Sequence, residues 1–380
     1  MIIKNGNIHD AINREAYVAD IALRDGKIAA IGKDIAPLAG EEIIDAAGKE
    51  VYPGLVEAHC HIGLHGFGVG QESNDVNENS DNVGAQNRAI DGFNPRDEYL
   101  KCALEAGITT ICTGPGSGNI ITGTFVATKT YGTCIDDMAI VPNVAMKVAF
   151  GQNPKNPKKK TVTTRMGIAA KMRQTLYDAK DYMMKKEAAG DDFAKRPKMD
   201  LKLEALIPVL KGEMPLKAHV HRADDICTAI RIAKEFGVKM TLEHVTDGRN
   251  VVKELVRAGY PVALGPSLYP TTKNEVYNKS FKTAAVLDEA GLKVSIITDA
   301  PCTPPEYLAL CASLAVKDGM DPFKALQAIT ITAAEHIGVS DRVGSLEVGK
   351  DADVVIADGD ILISSTNVET VFLEGEKVVG

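Results

Sequence analysis

The sequence predicts an α/β protein: a (β/α)8 TIM barrel with a small β domain built from its two ends. Three observations carry that expectation. Between residues 53 and 342, apolar runs of about five residues alternate with amphipathic segments of about ten or more, the mark of parallel βα units. Before residue 52, and again after Gly338, the chain breaks into short β-prone runs separated by turn residues such as Asn5-Gly6, Asp25-Gly26 and Glu374-Gly375. Finally, 380 residues at 45% hydrophobic and 25% charged suffice to bury a large core.

In chain order, Met1 to Lys4 and Asn5-Gly6 read as a strand and turn, and 17–23 with 27–31 as a hairpin. Residues 42–45 and 49–52 continue the β style. From Pro53 the repeats begin, with strands expected at 109–113, 143–150, 217–220, 239–243, 261–264 and 293–297. Helices are expected at 98–106, 164–189, 224–236, 249–258, 283–290, 305–318 and 322–337, several closed by glycine. After Gly338 the runs 345–356, 368–373 and 377–379 return to β. Pairing of the two β-rich ends is the economical arrangement, because separate appendages leave strand edges open. The expected division is 1–52 with 343–380 as the β domain and 53–342 as the barrel.

Composition excludes several function classes. A net charge of −8 and the lack of a basic stripe with aromatics argue against nucleic-acid binding; the lysine cluster at 155–160 is short. No apolar run reaches the about 18 residues of a membrane span, and the N-terminus lacks a signal-peptide core. Seven scattered cysteines without a Cys-x-x-Cys pair fit a reducing, cytoplasmic setting and no disulfide framework. The run Gly66 to Gly70 fits neither the dinucleotide nor the Walker spacing. Carboxylates Glu72, Asp75, Glu78 and Asp81, in the polar stretch 64–95, read as a solvated face.

The chemistry resides in the histidines. His59 and His61 end an apolar run and, two apart on a strand, share a face. Lys217-Ala218-His219-Val220-His221 repeats the pattern, Leu242-Glu243-His244 ends the next strand, and Ile297-Thr298-Asp299 a later one. Imidazoles and a carboxylate converging at the C-terminal ends of barrel strands are the inventory of an N/O-ligated site for Zn²⁺ or another first-row divalent ion. His9, His65 and His336 read as structural or loop residues.

These motifs, with Pro53-Gly54-Leu55-Val56-Glu57-Ala58-His59-Cys60-His61, Asp299-Ala300-Pro301 and Gly344 to Asp353, resemble the amidohydrolase superfamily in its imidazolonepropionase-like branch. The resemblance runs nearly end to end. It implies a metal-bearing barrel whose terminal segments form a β-sandwich, and a hydrolase cleaving a C–N bond of a small-molecule cyclic or linear amide. An aminohydrolase (deaminase), dipeptidase or deacetylase is the alternative within that chemistry. A barrel scaffold without catalysis is the alternative outside it. By the resemblance His59, His61, His219 and His244 hold metal, while Asp299 binds metal and takes the proton of the attacking water. His221 would contact substrate, and which of His219 and His221 is the ligand stays open. Lys147, inside an apolar strand, would be a carbamylated bridge between two ions, or else a strand-end lysine reaching solvent. Gln152 stands where the branch suggests glutamate, so one ion or two stays open as well. Arg165 and Arg222 are candidates to grip a substrate carboxylate. Relatives are often dimers or larger, which makes a homo-oligomer compatible.

Overall fold

A computed structural model describes residues 1–66, 73–155 and 162–380. The glycine run beyond Gly66, Glu72 and most of the 155–160 lysine cluster fall outside the described residues. Eight strands form the barrel sheet: Leu55–Cys60, Ile108–Thr113, Ile121–Lys129, Ala139–Ala149, Leu216–Val220, Met240–His244, Val262–Leu264 and Val294–Ile296, each hydrogen-bonded to the next. They are numbered here as barrel strands one to eight. Helices such as Arg165–Ala189 and Ala223–Phe236 return the chain between strands.

The barrel departs from eight regular βα repeats at its third strand. Ile121–Lys129 runs antiparallel to both neighbours, so strands two, three and four form a meander interrupted only by the one-turn helix Ile135–Met138. The expectations above assign no element to this stretch, although the β-branched content of ITGTFVATK is itself a strand signal. The last helix expected, 322–337, is likewise two, Pro322–Ala328 and Ile331–His336. The break frees the Ile329 carbonyl to accept from Val56 N of strand one at 2.8 Å. That bond helps close the barrel, since strands eight and one share no backbone ladder. The Glu57 carboxylate also spans this seam, accepting from Thr298 N at 2.8 Å and from Thr298 Oγ1.

Both chain ends contribute to a second eight-stranded sheet, as expected. Its order is Glu376–Val379, Val368–Leu373, Val354–Ala357, Glu50–Pro53, Ile2–Ile8, Tyr17–Arg24 and Lys27–Gly32, with Ile43–Asp45 also beside Ile2–Ile8. Asn5-Gly6 is not a hairpin turn. Asn5 takes a left-handed φ of 61° inside one continuous strand, and the register with Tyr17–Arg24 shifts there as at a bulge. The sheet rolls on itself, so Ile28 N donates to Lys350 O and Ala352 N to Gly26 O, each at 2.9 Å. Period-two alternation then serves two cores. Val51, Val354, Ile356 and Phe372 pack inside the roll, while Tyr52, Val355, Val371 and Leu373 pack against the barrel.

A buried ion cluster joins the two parts. Lys129, at the end of strand three, lies 2.9 Å from Asp351 and 2.8 Å from Asp353, all nearly inaccessible. Burial pushes the Asp351 carboxyl up, but Lys129, Lys27 and Arg342 together hold it at about 2, below its ordinary 3.8. Its stabilisation is therefore full above pH 3.8 and is lost as pH falls toward 2. Lys129→Met is expected to cost roughly 3 kcal/mol at pH 7, because it leaves two buried carboxylates short of a partner. Denaturation midpoints from pH 6 to pH 2 check this: the loss should shrink as acid neutralises the carboxylates.

Candidate metal centre

The inner face of the barrel is built from residues two apart. Glu57, His59 and His61 share one face of strand one, and Lys217, His219 and His221 share one face of strand five. Strand six contributes Thr241 and Glu243 to the same interior. An ordinary strand would turn the next residue, His244, outward. Instead, His244 takes φ 74° and Val245 φ 42°, which brings the His244 ring back over the mouth. Asp299, three residues beyond strand eight, has φ 54°. Left-handed backbone at non-glycine residues is costly and collects at functional sites, and here it falls on two of the expected ligands.

The rings are held by their Nδ1 atoms. His59 Nδ1 donates to Glu243 Oε2 at 2.9 Å, His61 Nδ1 to Gly114 O at 2.7 Å, and His244 Nδ1 to Gly265 O at 2.8 Å. Carbonyl and carboxylate oxygens only accept, so Nδ1 carries the proton in each ring and Nε2 presents its lone pair. Glycine is required at 265, where φ is 150° and a Cβ would lie 2.0 Å from Ile297 O. His221 Nδ1 is 2.8 Å from Thr246 Oγ1.

The candidate ligand atoms converge in two groups. His59, His61 and Asp299 form one, with Asp299 Oδ1 3.7 Å from His59 Nε2 and 3.4 Å from His61 Nε2. His219, His221 and His244 form the other. His219 Nε2, His244 Nε2 and Asp299 Oδ1 are buried with no hydrogen-bond partner. Burial holds His59, His219 and His221 well below the ordinary imidazole range and His244 at about 4, so all four are neutral at pH 7. For Asp299, burial opposes ionisation, but His244, His61 and His59 more than offset it, and the carboxyl sits below its usual range. Neutral imidazole lone pairs and a carboxylate, buried and facing one another, are the donor set of a divalent cation.

Lys147, on strand four, is completely buried, so the reading of a solvent-reaching lysine does not hold. Its Nζ lies 2.9 Å from His59 Nε2, and burial lowers its pKa to about 8. Beneath it lies a network without an expected role. Glu243 accepts from His59 and, at 3.0 Å, from Lys217 through Oε2; its Oε1 accepts from Thr241 at 2.6 Å and His336 at 2.9 Å. His336 thus serves the barrel interior and not a helix end. The ring of Phe125, from the antiparallel third strand, meets both buried ammonium groups, with its centroid 5.2 Å from Lys147 Nζ and 5.6 Å from Lys217 Nζ. Period two from His219 was a usable signal for Lys217; nothing in the sequence announced His336 or Phe125.

Two expected substrate contacts lie elsewhere. Arg165 forks onto Asp225, with Nε at 2.9 and 3.0 Å, and its NH2 is 3.6 Å from Glu275. Arg222 is exposed and bonds Asp224 two residues on, at the start of helix Ala223–Phe236. Neither lines the mouth cavity of about 350 Å³, which does contain His61, His219, His221, His244 and Asp299. Helix-start arginines beside acidic residues found those acids first. His65, read as a loop residue, does line the cavity, as do Lys273 and Lys279.

Comparison with known proteins agrees with this architecture. Residues 154–378 match the amidohydrolase family. A crystal structure of an amidohydrolase from Thermotoga maritima superposes with a TM-score of 0.95 at 36% identity, covering 99% of both chains. The chain belongs to the amidohydrolase family. It is 27% identical to an amidohydrolase of Hapsidospora irregularis over 84% of its own length, and 23% identical to an adenine deaminase of Bacillus pumilus over 100% of it. It spans only 35% and 57% of those two relatives. Members of this superfamily generally use divalent metals, and the donor groups above fit such ions. No described helix is long and apolar enough to cross a membrane.

Proposed function

We propose that the protein is a metal-dependent hydrolase of a C–N bond in a small-molecule amide, cyclic or linear. The observation that carries this reading is the set of orphaned, inward-facing lone pairs on His219, His244 and Asp299 beside His59 and His61. His59, His61 and Asp299 would hold one ion, and His219, His221 and His244 another, with Zn²⁺ the ion best matched to imidazole and carboxylate. Lys147, on strand four with its Nζ 2.9 Å from His59 Nε2, would join them as a carbamate; its burial and lowered pKa support that reading by favouring the neutral amine that carbon dioxide requires. Bound there, the metal supplies Lewis acidity toward a carbonyl oxygen and toward water.

The chain's own residues do the rest. Asp299, ionised and at the cavity floor, takes the proton of the attacking water and returns it to the leaving nitrogen. The Nδ1 anchors on Glu243, Gly114 and Gly265 keep the rings from turning during that exchange. The cavity of about 350 Å³ is sized for a small substrate. The likeness to an adenine deaminase favours one second reading, hydrolytic removal of ammonia from an aminated heterocycle.

A panel of linear amides, cyclic amides and aminated heterocycles, assayed on zinc-loaded protein, tests this. Amine or ring-opened acid as product supports the amide reading, and ammonia from a heterocycle supports the second. No turnover by fully metal-loaded protein contradicts both.

A further inference from the structure

The cavity above the metal centre has one wall with an unassigned cation. The loop after strand seven supplies Pro266, Tyr269, Lys273 and Lys279 to this wall, and Thr283 follows at the start of the next helix. Lys273 is already neutralised: its Nζ lies 2.7 Å from Glu275 and 2.7 Å from Asn153 Oδ1. Lys279 is not. Its ammonium bonds Thr271 Oγ1 at 2.9 Å, and among the described residues no carboxylate stands within ion-pair distance. Thr283 Oγ1, on the same wall, is completely buried and has no hydrogen-bond partner. The one carboxylate among the cavity's described lining is Asp299, committed to the imidazoles at the floor. A half-buried ammonium without a carboxylate partner among the described residues, and an orphaned hydroxyl lining the same cavity, make a surface complementary to an anion.

We propose that Lys279, aided by Thr283, forms an anion subsite, and that the substrate is a small amide carrying a carboxylate apart from its scissile C–N bond. This deepens the hydrolase reading and rests on it. The carboxylate grip assigned above by resemblance to Arg165 and Arg222 passes to a residue on another loop, because those arginines are held by Asp225 and Asp224 outside the cavity. A cation at the rim fixes which end of the substrate faces the metal, and so sets specificity more than rate.

Calorimetric titration of the zinc-loaded enzyme with matched pairs tests the subsite. The probes are N-acetylglycine, N-acetyl-β-alanine and N-acetyl-4-aminobutyrate, each against its own carboxamide. At least one acid is expected to bind about tenfold tighter than its carboxamide, a difference typical of one charge-assisted hydrogen bond. Lys279→Met should abolish that preference and leave carboxamide binding unchanged, and Lys279→Arg should keep it. Equal binding of acid and carboxamide, no binding by any acid of the series, or a preference that survives Lys279→Met overturns the proposal. Binding needs no turnover, so the two readings fail separately. An acid-selective protein that depends on Lys279 but hydrolyses nothing defeats the hydrolase reading alone. A protein that hydrolyses neutral amides without acid preference defeats the subsite alone.

Discussion

Glu243→Ala is expected to destabilise the protein by about 3–5 kcal/mol, the usual consequence of removing one partner from a buried ion pair. Glu243 is inaccessible, and all its hydrogen-bonding capacity is used by His59, Lys217, Thr241 and His336. Without it, the Lys217 ammonium keeps only the Ala58 carbonyl, 3.0 Å away, and the His59 ring loses the acceptor that fixes its tautomer. Denaturant midpoints measure the first effect and metal content the second. Adding Lys217→Met should recover part of the stability, because the uncompensated charge is gone, but should not restore metal binding, because His59 is still unanchored. A Glu243→Ala protein with wild-type midpoint and metal content would show that the network is incidental.

Asp299→Asn is expected to lower turnover by about 10²–10⁴-fold, the typical worth of a positioned general acid–base. Asparagine is the informative replacement because residue 299 has φ 54°, a conformation asparagine tolerates better than alanine. The fold and the imidazole ligands should survive, and an amide oxygen can still face the ion, but no proton can be taken. Asp299→Ala would confound lost chemistry with backbone strain. Turnover within a few-fold of wild type in the asparagine variant would move the proton-transfer role to another group.

Much of this architecture was legible in the order of the residues. The alternation of apolar runs with amphipathic segments announced a barrel, and turn residues at both ends announced the second sheet. His59 with His61, and His219 with His221, followed from period two alone. What escaped was set by tertiary pairing. The antiparallel third strand has local β character, but its direction depends on its neighbours' ladders. The 322–337 helix divides where the Ile329 carbonyl accepts from strand one, a contact 273 positions away in sequence. His336 became a support for Glu243, and Arg165 a partner of Asp225, through contacts 93 and 60 residues apart. Neither pattern nor propensity reports such pairs. Lys279 carries no motif, and only the cavity around it makes it stand out.

The most direct test of the central claim is metal content per chain by mass spectrometry, on protein purified without chelator. Wild type, His59→Ala and Lys147→Ala should be compared before and after zinc is added back. About two equivalents of zinc in wild type are expected, with both variants falling to one or fewer. One equivalent in wild type, unchanged in Lys147→Ala, would keep the hydrolase and remove the lysine bridge. Wild-type protein that stays metal-free after zinc addition would contradict the account, leaving the imidazole cluster without the chemistry assigned to it.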